Sequence, residues 1–544
     1  MKNIYIFLLF VIAVFYSCSL DKYPETTFTD NSFWVSEEDL RSACNRLYWE
    51  HNDKTFRYDF RADDIFDGSG SGNTTSNGQR MTTARSDDWK DPYSYIAVAN
   101  NIISKGLDEE NFQSVTEKVL NRYLAEAYFF RASNYFTLVS KYGDVPLILT
   151  PIKDVDDPVL KLPRNPREEV VKQIYEDLDF AAQHLPVHSA ISDADWGRVS
   201  RSSALAMKAR IALYEGTRSK FHNDGRDYKS HLSKAVEAAG TIIEEKQHSL
   251  YTNGYDKLFL YEAEGKQNKE NVYVKVYGIS YDNKVKTYPN RHEYIGITRK
   301  MVDMYLCADG LPWGISSYTI PVENQSTYNE IFQNRDPRMS LTLYQIGETA
   351  YKGEFNVGNT LGGTGYSMKK MFVREDYDNK GSVLDIMVIR YAEVLLIYAE
   401  AIYELNESVS DEILDNTINE LRRRVGFNVK LTNEFVTNNS LNMRDEIRRE
   451  RTVELAFENH RYNDLMRWKI AETELPEPIV GTKYTTPEEF GGKPESDYAN
   501  ILDEKKQIIV EKNRTFRPER DYLYPIPTTD IYLSDDKITQ NPNW

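Results

Sequence analysis

Apolar residues recur every three or four positions along much of this chain, which is the spacing of one face of an α-helix. The pattern is clearest over about 89–103, 124–138, 201–215 and 230–245. The last two of these segments carry alanine-rich faces, and small residues there let neighbouring helices approach closely. Ser36, which acidic residues follow, is a helix N-cap and begins a first helix over about 36–50. The pattern predicts helices that pack in pairs, although their spacing is too irregular to establish a repeat by itself.

The pattern changes between about residues 250 and 385. Aromatic residues cluster here, while glycine, asparagine and proline interrupt the helical spacing. We interpret this part as an irregular, loop-rich subdomain inserted in the helical scaffold, because exposed loops on a rigid frame can carry recognition. Helical spacing then resumes. The sequence therefore predicts an all-α protein with an N-terminal helical region at 18–250, an inserted loop-rich region at 251–385 and a C-terminal helical region at 386–544.

The first residues have the form of a signal peptide. A basic residue precedes an apolar run from residue 4 to residue 16, and Ser17 and Cys18 follow. A transmembrane helix needs ~20 apolar residues, so this run is too short to span a membrane. Ser17 before Cys18 resembles a lipobox, in which the signal peptide 1–17 is removed and Cys18 receives the acyl chains that anchor the protein. The two residues before Ser17 depart from the lipobox pattern, so an ordinary signal peptide with an incidental cysteine is the alternative.

The charge of the chain argues against nucleic acid as a partner. Its 67 lysines and arginines against 84 acidic residues give a net charge of −17, which repels a phosphate backbone. The chain also contains 38 tyrosines, 23 phenylalanines and 7 tryptophans. A tyrosine offers a flat apolar face and a hydroxyl, which suits both a helix-packing core and a surface on which sugar rings stack.

Acidic helix faces are the candidates for acid/base catalysis. They are Glu393 and Glu400 on one predicted helix, and Arg451, Glu454, Glu458 and Arg461 on one face of a helix predicted over 443–469. A glycosidase needs two carboxyl groups that face each other across a cleft, whereas each of these sets lies along a single helix among arginines. We therefore interpret them as intramolecular ion pairs and predict no catalytic residue.

The sequence predicts no metal site and no cofactor. Its 8 histidines occur singly, without the spacing of a zinc site, and no Gly-x-Ser-x-Gly elbow is present. A glycine- and serine-rich stretch at 67–87 resembles a calcium loop, but Gly78 stands where an EF-hand needs glutamate, so we interpret the stretch as a surface loop. The 3 cysteines, Cys18, Cys44 and Cys307, form no disulfide framework. Whether Cys44 pairs with Cys307 is open, as is any bound calcium.

A series of motifs, which extends to the end of the chain, carries a resemblance to a known family. The motifs are EAYFFRASNYFTLVSKYGDVPL from Glu126, RYAEVLLIYAEA from Arg390, ELRRRVG from Glu420, ERTVELAFENHRYNDLMRW from Glu450, YPIP from Tyr524 and QNPNW from Gln540. Together with the lipobox, and in this order, they resemble the SusD/RagB family.

The resemblance implies a fold and a function. The fold is an all-α, tetratricopeptide-like helical-repeat scaffold of four helix pairs with an inserted, loop-rich ligand-binding subdomain. The function is that of an outer-membrane nutrient-binding lipoprotein that faces the cell exterior and captures glycan without cleaving it. The implied partner is a SusC-like TonB-dependent transporter, on which the protein sits as a lid. A peptide-binding protein of the same fold is the alternative, and a glycoside hydrolase ranks below both.

The resemblance also implies which residues bind the ligand. In the family, ligand contacts come from the loop before the helix that begins near Trp89 and from loops of the inserted region. The matching residues are Asn77 and Arg80 in the first loop, and Tyr281, Tyr288 and Trp313 in the inserted region. Trp313 is our first choice, because a large ring stands there where the family commonly has an aliphatic residue. Packing of each ring under a loop is the alternative, and it is favoured for the two tyrosines.

Overall fold

The computed structural model describes residues 33–49, 56–70, 72–277, 289–351 and 353–544. The α-helices of these residues are α1 (Glu37–Asn45), α2 (Asp87–Gly106), α3 (Glu117–Tyr142), α4 (Arg167–His184), α5 (Arg201–His222), α6 (Tyr228–Glu245), α7 (Arg299–Met304), α8 (Pro337–Thr342), α9 (Arg374–Asn379), α10 (Tyr391–Asn406), α11 (Asp411–Asp415), α12 (Ile418–Arg424), α13 (Asn433–Asn438), α14 (Met443–Glu454), α15 (Arg461–Arg467), α16 (Ala471–Glu474) and α17 (Thr528–Leu533). The strands are β1 (Ile65–Asp67), β2 (Asn271–Lys275), β3 (Ile295–Ile297), β4 (Thr349–Ala350), β5 (Gly353–Glu354), β6 (Tyr366–Ser367), β7 (Ile386–Arg390), β8 (Ile479–Lys483) and β9 (Gln507–Glu511).

The long helices pack side by side in chain order. Helix α2 contacts α3, α3 contacts α4, and the series continues through α5 and α6 to α10. Helix α10 then packs on α14, and the short α15 packs on α5. The alanine faces predicted from the spacing are buried in this stack, for example at Ala206 and Ala238. The predicted all-α, helical-repeat fold is confirmed. Within the described ranges, no helix has both the length and the apolar composition to cross a membrane.

The helix predicted over 443–469 is interrupted, so the prediction that four charged residues share one of its faces is wrong. Helices α14 and α15 take its place. Between them, Phe457 and Asn459 adopt left-handed backbone conformations with φ of 65° and 66°, which a right-handed helix cannot contain. The break turns Glu458 toward the inserted region, whereas Arg461 faces the N-terminal segment.

Short antiparallel strands organise the inserted region. Strand β2 pairs with β7, with Asn271 opposite Arg390, so the beginning and the end of the region lie side by side on the scaffold. Strands β1, β3 and β6 form a three-stranded sheet. The apolar core beneath these strands also includes Tyr484, Phe490 and Ile508, which belong to the β8–β9 hairpin. The C-terminal segment therefore contributes side chains to the apolar core of the inserted region.

A network of buried ion pairs joins the inserted region to the C-terminal helices. Arg390 contacts Glu454 and Glu458, each at 2.7 Å. Arg338 of the inserted region contacts Glu450 at 2.6 Å and Glu454 at 3.0 Å. Burial alone raises the pKa of Glu454, but the neighbouring arginines more than offset this effect and hold its pKa well below the usual range. These carboxylates therefore serve as anionic partners of arginines that tie separate elements together.

Candidate functional site

Trp313 lies in a loop that an aspartate holds in shape. The Asp309 carboxylate accepts hydrogen bonds from a backbone N–H of the loop at 3.1 Å and from the Ser316 hydroxyl at 2.7 Å. These bonds fix the turn on both sides of Trp313. Ile315 and Tyr318 in the same loop are 61% and 43% exposed. The loop therefore presents apolar and aromatic surface to the solvent from a defined backbone.

The Trp313 ring itself is half-buried and rests on a cation. The Arg335 guanidinium lies 4.2 Å from the ring centroid, within the range of a cation–π contact. Arg335 is buried and donates hydrogen bonds to the backbone carbonyls of Val302 and Tyr305, each at 2.7 Å. The tryptophan ring therefore packs against a fixed group while part of its surface stays accessible.

Asn77 and Arg80, the predicted ligand contacts of the first loop, fasten that loop to the C-terminal segment. The Asn77 side-chain amide donates to Glu511 Oε1 at 2.8 Å. The Arg80 guanidinium lies 3.7 Å from the centroid of the Tyr524 ring. Trp313 instead contacts Arg335 of the inserted region. The contacts of Asn77 and Arg80 therefore do not bring these two residues to Trp313. Their part in ligand binding stays a prediction.

Several predicted positions lie outside the described residues. They are the signal peptide 1–17, Cys18, Tyr281 and Tyr288. The other two cysteines, Cys44 and Cys307, are free and buried, so they do not pair with each other. In the part of the chain that the structure describes, no group of histidine, cysteine and acidic residues is arranged to hold a metal ion.

A cavity of about 430 Å³ lies between the helical scaffold and the inserted region. Helices α2, α3 and α5 form one wall, whereas β2, β7 and the segment 258–264 form another. The segment that follows α14 adds Glu458, Asn459, His460, Tyr462 and Asn463 to the lining. Apolar side chains such as Leu260 and Met387 share the lining with carboxylates and amides. This volume falls in the range of ~300–1,000 Å³ that is typical of ligand pockets, and the mixture of apolar walls with a few polar groups is typical as well.

Trp49 and Tyr95 form an aromatic edge of this cavity. Trp49 is 61% exposed and lies in the 3-10 turn Arg46–Trp49. The Arg46 guanidinium lies 4.4 Å from the Trp49 ring centroid and 5.5 Å from that of Tyr95. This turn replaces the last part of the first predicted helix, which ends at Asn45 instead of near residue 50. An exposed ring such as that of Trp49 can receive the C–H face of a sugar.

Two carboxylates in the cavity have no cationic partner among the described residues. The Asp385 N–H donates to Glu264 Oε1 at 2.7 Å, and the Tyr277 N–H donates to Asp385 Oδ1 at 3.0 Å. Burial raises the pKa of Glu264 to about 7, and the nearby carboxylates of Asp385 and Asp376 add to the increase. Burial also raises the pKa of Asp385 to about 6. Glu264 is therefore partly protonated at neutral pH.

The carboxylates that the sequence offered as catalytic candidates are held in ion pairs. Glu393 contacts Arg210 at 2.6 Å, and Glu400 contacts Arg467 at 2.5 Å. Glu458 lines the cavity but belongs to the ion-pair network described above. The interpretation of these residues as intramolecular ion pairs is confirmed by these contacts.

Sequence analysis did not identify Trp49, Glu264 or Asp385. The local sequence does indicate that Trp49 is near the surface, since the polar residues Glu50 and His51 follow this large aromatic residue. Nothing in the local sequence marks the two acids as a pair. They are 121 residues apart, and the pairing of β2 with β7 brings their segments together.

Comparison with known protein families identifies the family to which this chain belongs. A family profile described as the SusD family matches residues 258–544, which is more than half of the chain. The chain belongs to the SusD family. A second profile, described as starch-binding and associating with the outer membrane, matches residues 20–213 of this SusD-family chain. The resemblance inferred from the sequence motifs is thereby confirmed.

Individual SusD-like proteins match most of the chain. A SusD-like protein of Bacteroides ovatus is 28% identical over 484 residues, which cover 84% of this chain and 80% of the relative. SusD-like protein P2 of Formosa agariphila is 24% identical over 585 aligned positions, which cover 100% of both. A solved SusD-like carbohydrate binding protein from Bacteroides fragilis has a TM-score of 0.74 at 25% identity, covering 92% of this chain and 99% of that one. Surface glycan-binding protein A from Bacteroides fluxus shares the fold, with a TM-score of 0.63 at 19% identity and coverage of 94% and 100%.

Proposed function

We propose that this protein is a lipid-anchored protein of the outer membrane that binds glycan outside the cell. It passes the glycan to a SusC-like TonB-dependent transporter without cleaving it. Membership of the SusD family supports the proposal, because one matching profile is described by starch binding and association with the outer membrane. The similar structure from Bacteroides fragilis is named a carbohydrate binding protein. In this proposal, 18–250 and 386–544 form the helical frame and 251–385 carries the ligand.

The observation that carries the proposal is the aromatic loop around Trp313. A ring that is fixed on the buried Arg335 and remains partly accessible provides a stacking surface for a sugar. Because the ring is already in place, little side-chain entropy is lost when the ligand binds. The other ligand contacts included in the proposal are Asn77, Arg80, Tyr281 and Tyr288.

Affinity gel electrophoresis against a panel of polysaccharides, including starch, tests glycan binding. The wild-type protein should be retarded by its glycan, and Trp313→Ala should abolish the retardation. Tyr532→Ala is the matched control, because it removes a 79% exposed aromatic residue from α17. It should migrate like the wild type, and far-UV circular dichroism should show that both variants are folded. Retardation that survives Trp313→Ala removes Trp313 from the site, and no retardation across the panel contradicts glycan binding.

Cys18→Ser tests the lipid anchor and the transporter partner. Wild-type protein should fractionate with the outer membrane, whereas the variant should be released, because acyl chains on Cys18 supply the attachment. Affinity purification of the wild type from detergent-solubilised membranes should recover a TonB-dependent transporter. Membrane association that persists without Cys18 contradicts the anchor, and purification without a transporter contradicts the partner.

Peptide binding is the alternative within the same fold, and a competition experiment separates the two. Oligosaccharides should displace the polysaccharide from the protein, whereas a peptide pool should not. The reverse result would assign the site to peptides.

A glycoside hydrolase ranks below both binding functions. The observation that favours it is that Glu264 and Asp385 line one cavity and have raised pKa values, as a general acid requires. Prolonged incubation with the bound glycan should release no reducing ends. Release that is lost in Glu264→Gln would establish hydrolysis.

A further inference from the structure

Trp49 differs from the other tryptophans of this chain in its exposure to solvent. All seven tryptophans lie in the described residues, and Trp49 is exposed whereas the others are buried or half-buried. Tryptophan is on average a highly buried residue, because its large apolar surface is stabilised by removal from water. Trp49 also lies on the edge of the cavity. Its ring is therefore in a position to be covered by a bound molecule.

The turn that carries Trp49 is fixed on the helical scaffold. Leu47, two residues earlier, is fully buried in the core. The Tyr48 hydroxyl donates to Glu126 Oε2 at 2.9 Å and accepts from the Val199 N–H at 3.1 Å. Because both preceding residues are held, the Trp49 side chain extends from a defined backbone position.

A guanidinium group links the Trp49 ring to helix α2. Arg46 lies 4.4 Å from the centroid of Trp49 and 5.5 Å from that of Tyr95 on α2, so both rings contact one cation. With this contact in place, Trp49 is still 61% exposed. The remaining ring surface is available for stacking, and little side-chain entropy is lost when a ligand binds to it.

Helix α2 places hydrogen-bond acceptors beside these rings. Asp87, Asp91 and Tyr95 follow one another at four-residue steps, so they share one face of the helix, and all three line the cavity. Asp87 is exposed and Asp91 is half-buried. Carboxylates accept strong hydrogen bonds from hydroxyl groups. A sugar unit, which has an apolar C–H face and several hydroxyls, matches a stacking ring with acceptors next to it.

The charge of the lining selects among sugars. Among the described residues that line the cavity, six acidic side chains are present against three lysines and arginines. His460 adds no positive charge at neutral pH, because burial lowers its pKa to about 4. This lining repels a sugar that carries a carboxylate or a sulfate, so the ligand that fits it is neutral.

We propose that this cavity, with Trp49 at its edge, is a second sugar-binding site, which takes neutral sugar units at the end of a glycan chain. The inference rests on the proposed glycan-binding function and adds a site to the one at Trp313, which does not line the cavity. The helical scaffold and the inserted region form walls on two sides, so the cavity takes a chain end or a short oligosaccharide rather than the middle of a polymer.

Calorimetry on the Trp313→Ala variant isolates the cavity from the Trp313 loop. The probes are four neutral hexasaccharides, maltohexaose, cellohexaose, mannohexaose and β-1,4-galactohexaose. At least one should bind, and Trp49→Ala in the same background should weaken its binding by at least about tenfold, because truncation removes the stacking surface. If Trp313→Ala does not fold, Trp49→Ala in the otherwise wild-type chain should lower the number of hexasaccharides bound per protein from two to one. Failure of all four probes to bind, or binding that is unchanged without Trp49, overturns the proposal.

Further variants test whether the Trp49 ring acts through stacking. Trp49→Phe should bind within about threefold of its parent, because it keeps a flat apolar face. Tyr532→Ala, which removes another exposed aromatic residue, should leave hexasaccharide binding unchanged. Since Trp49 is exposed, Trp49→Ala should melt at the temperature of its parent. A lower melting temperature, with no recovery of binding in Trp49→Phe, would assign Trp49 a structural role and overturn the site.

Oxidation of the bound hexasaccharide tests the selection for neutral sugars. Conversion of its primary hydroxyls to carboxylates should weaken binding to Trp313→Ala by at least about tenfold, because the acidic lining repels them. Methyl esterification, which removes the charge, should restore binding. Equal affinity of the oxidised and unoxidised probes overturns the selection by charge.

The outcomes also separate this inference from the proposed function. If a polysaccharide retards the wild-type protein in the affinity gel and Trp49→Ala leaves hexasaccharide binding unchanged, glycan binding stands and the second site is wrong. If no polysaccharide retards the protein and no hexasaccharide binds, both are overturned.

Discussion

Replacement of Arg390 by methionine tests the buried ion-pair network most directly. The Arg390 side chain is 1% exposed and contacts Glu270 at 2.9 Å, Glu454 at 2.7 Å and Glu458 at 2.7 Å. Methionine has a similar length and fills much of the same space but donates no hydrogen bond. The variant therefore leaves three buried carboxylates without one of their cations, while creating only a small cavity.

The expected loss follows from the contacts that remain. Removing one partner of a buried ion pair typically costs about 3–5 kcal/mol, because the other charge stays buried without compensation. Glu454 keeps Arg338 at 3.0 Å, and Glu458 keeps Lys370 at 2.6 Å. Because these cations remain, the loss of stability stays within the range for one buried ion pair, although Arg390 contacts three carboxylates. We therefore expect a loss of about 4 kcal/mol in the free energy of unfolding.

Urea denaturation followed by far-UV circular dichroism measures this loss as a lower unfolding midpoint. Arg374→Met is the matched control, since Arg374 contacts Asp378 at 2.9 Å on the surface, with side chains 51% and 55% exposed. The control should unfold at the wild-type urea concentration, because exposed ion pairs contribute little. Arg390→Lys should fall between wild type and Arg390→Met, since it keeps the charge but makes fewer hydrogen bonds. Equal midpoints for Arg390→Met and Arg374→Met would show that the network does not stabilise the fold.

Other predictions concern the buried acid, a helix end and the thiols. Burial raises the pKa of Glu264 to about 7, above ~4.3 in the unfolded chain, so the protein should lose stability as pH rises from about 4.5 through 7. Glu264→Gln should lose less stability over that interval. If the urea midpoints of the variant and of the wild type change equally between pH 5 and pH 8, the prediction is contradicted. Gly143 ends α3 with φ of 74°, so Gly143→Ala should destabilise the protein by about 1 kcal/mol, which a thermal melt would detect. Cys44 and Cys307 are buried and free, so a thiol reagent should modify both only after denaturation, and rapid labelling of native protein would refute this.

The helical scaffold could be predicted because its signal is local. The alanine faces and the spacing of apolar residues determine which side of each helix is buried, and helices such as α5 follow from that pattern alone. The same pattern failed between α14 and α15. Charged residues at helical spacing continue through Phe457 and Asn459, where the backbone leaves the helix. Glu458 and Arg461 bind partners that are distant in the sequence, Arg390 and Asp63, and tertiary ion pairs of this kind leave no trace in local periodicity.

The cavity could not be predicted for a related reason. Its acids come from two segments that only the β2–β7 pairing brings together, and no spacing rule connects positions 121 residues apart. The aromatic edge at Trp49 depends on where α1 ends, and helix ends are the least certain part of a sequence-based prediction. Trp313 could be singled out through the family resemblance, but its contact with Arg335 could not.

The cavity and the ion-pair network are parts of one structure. Strand β7 lines the cavity at its first residues and ends in Arg390, the residue that holds Glu454 and Glu458. Glu458 also lines the cavity, so its pairing with Arg390 and Lys370 fixes the part of the lining that this residue forms. The contacts that join the inserted region to the C-terminal helices therefore also determine the shape of the cavity. It follows that a substitution at Arg390 should alter the shape of the cavity even though this residue does not line it, because strand β7, which lines the cavity at its first residues, loses its attachment at its end.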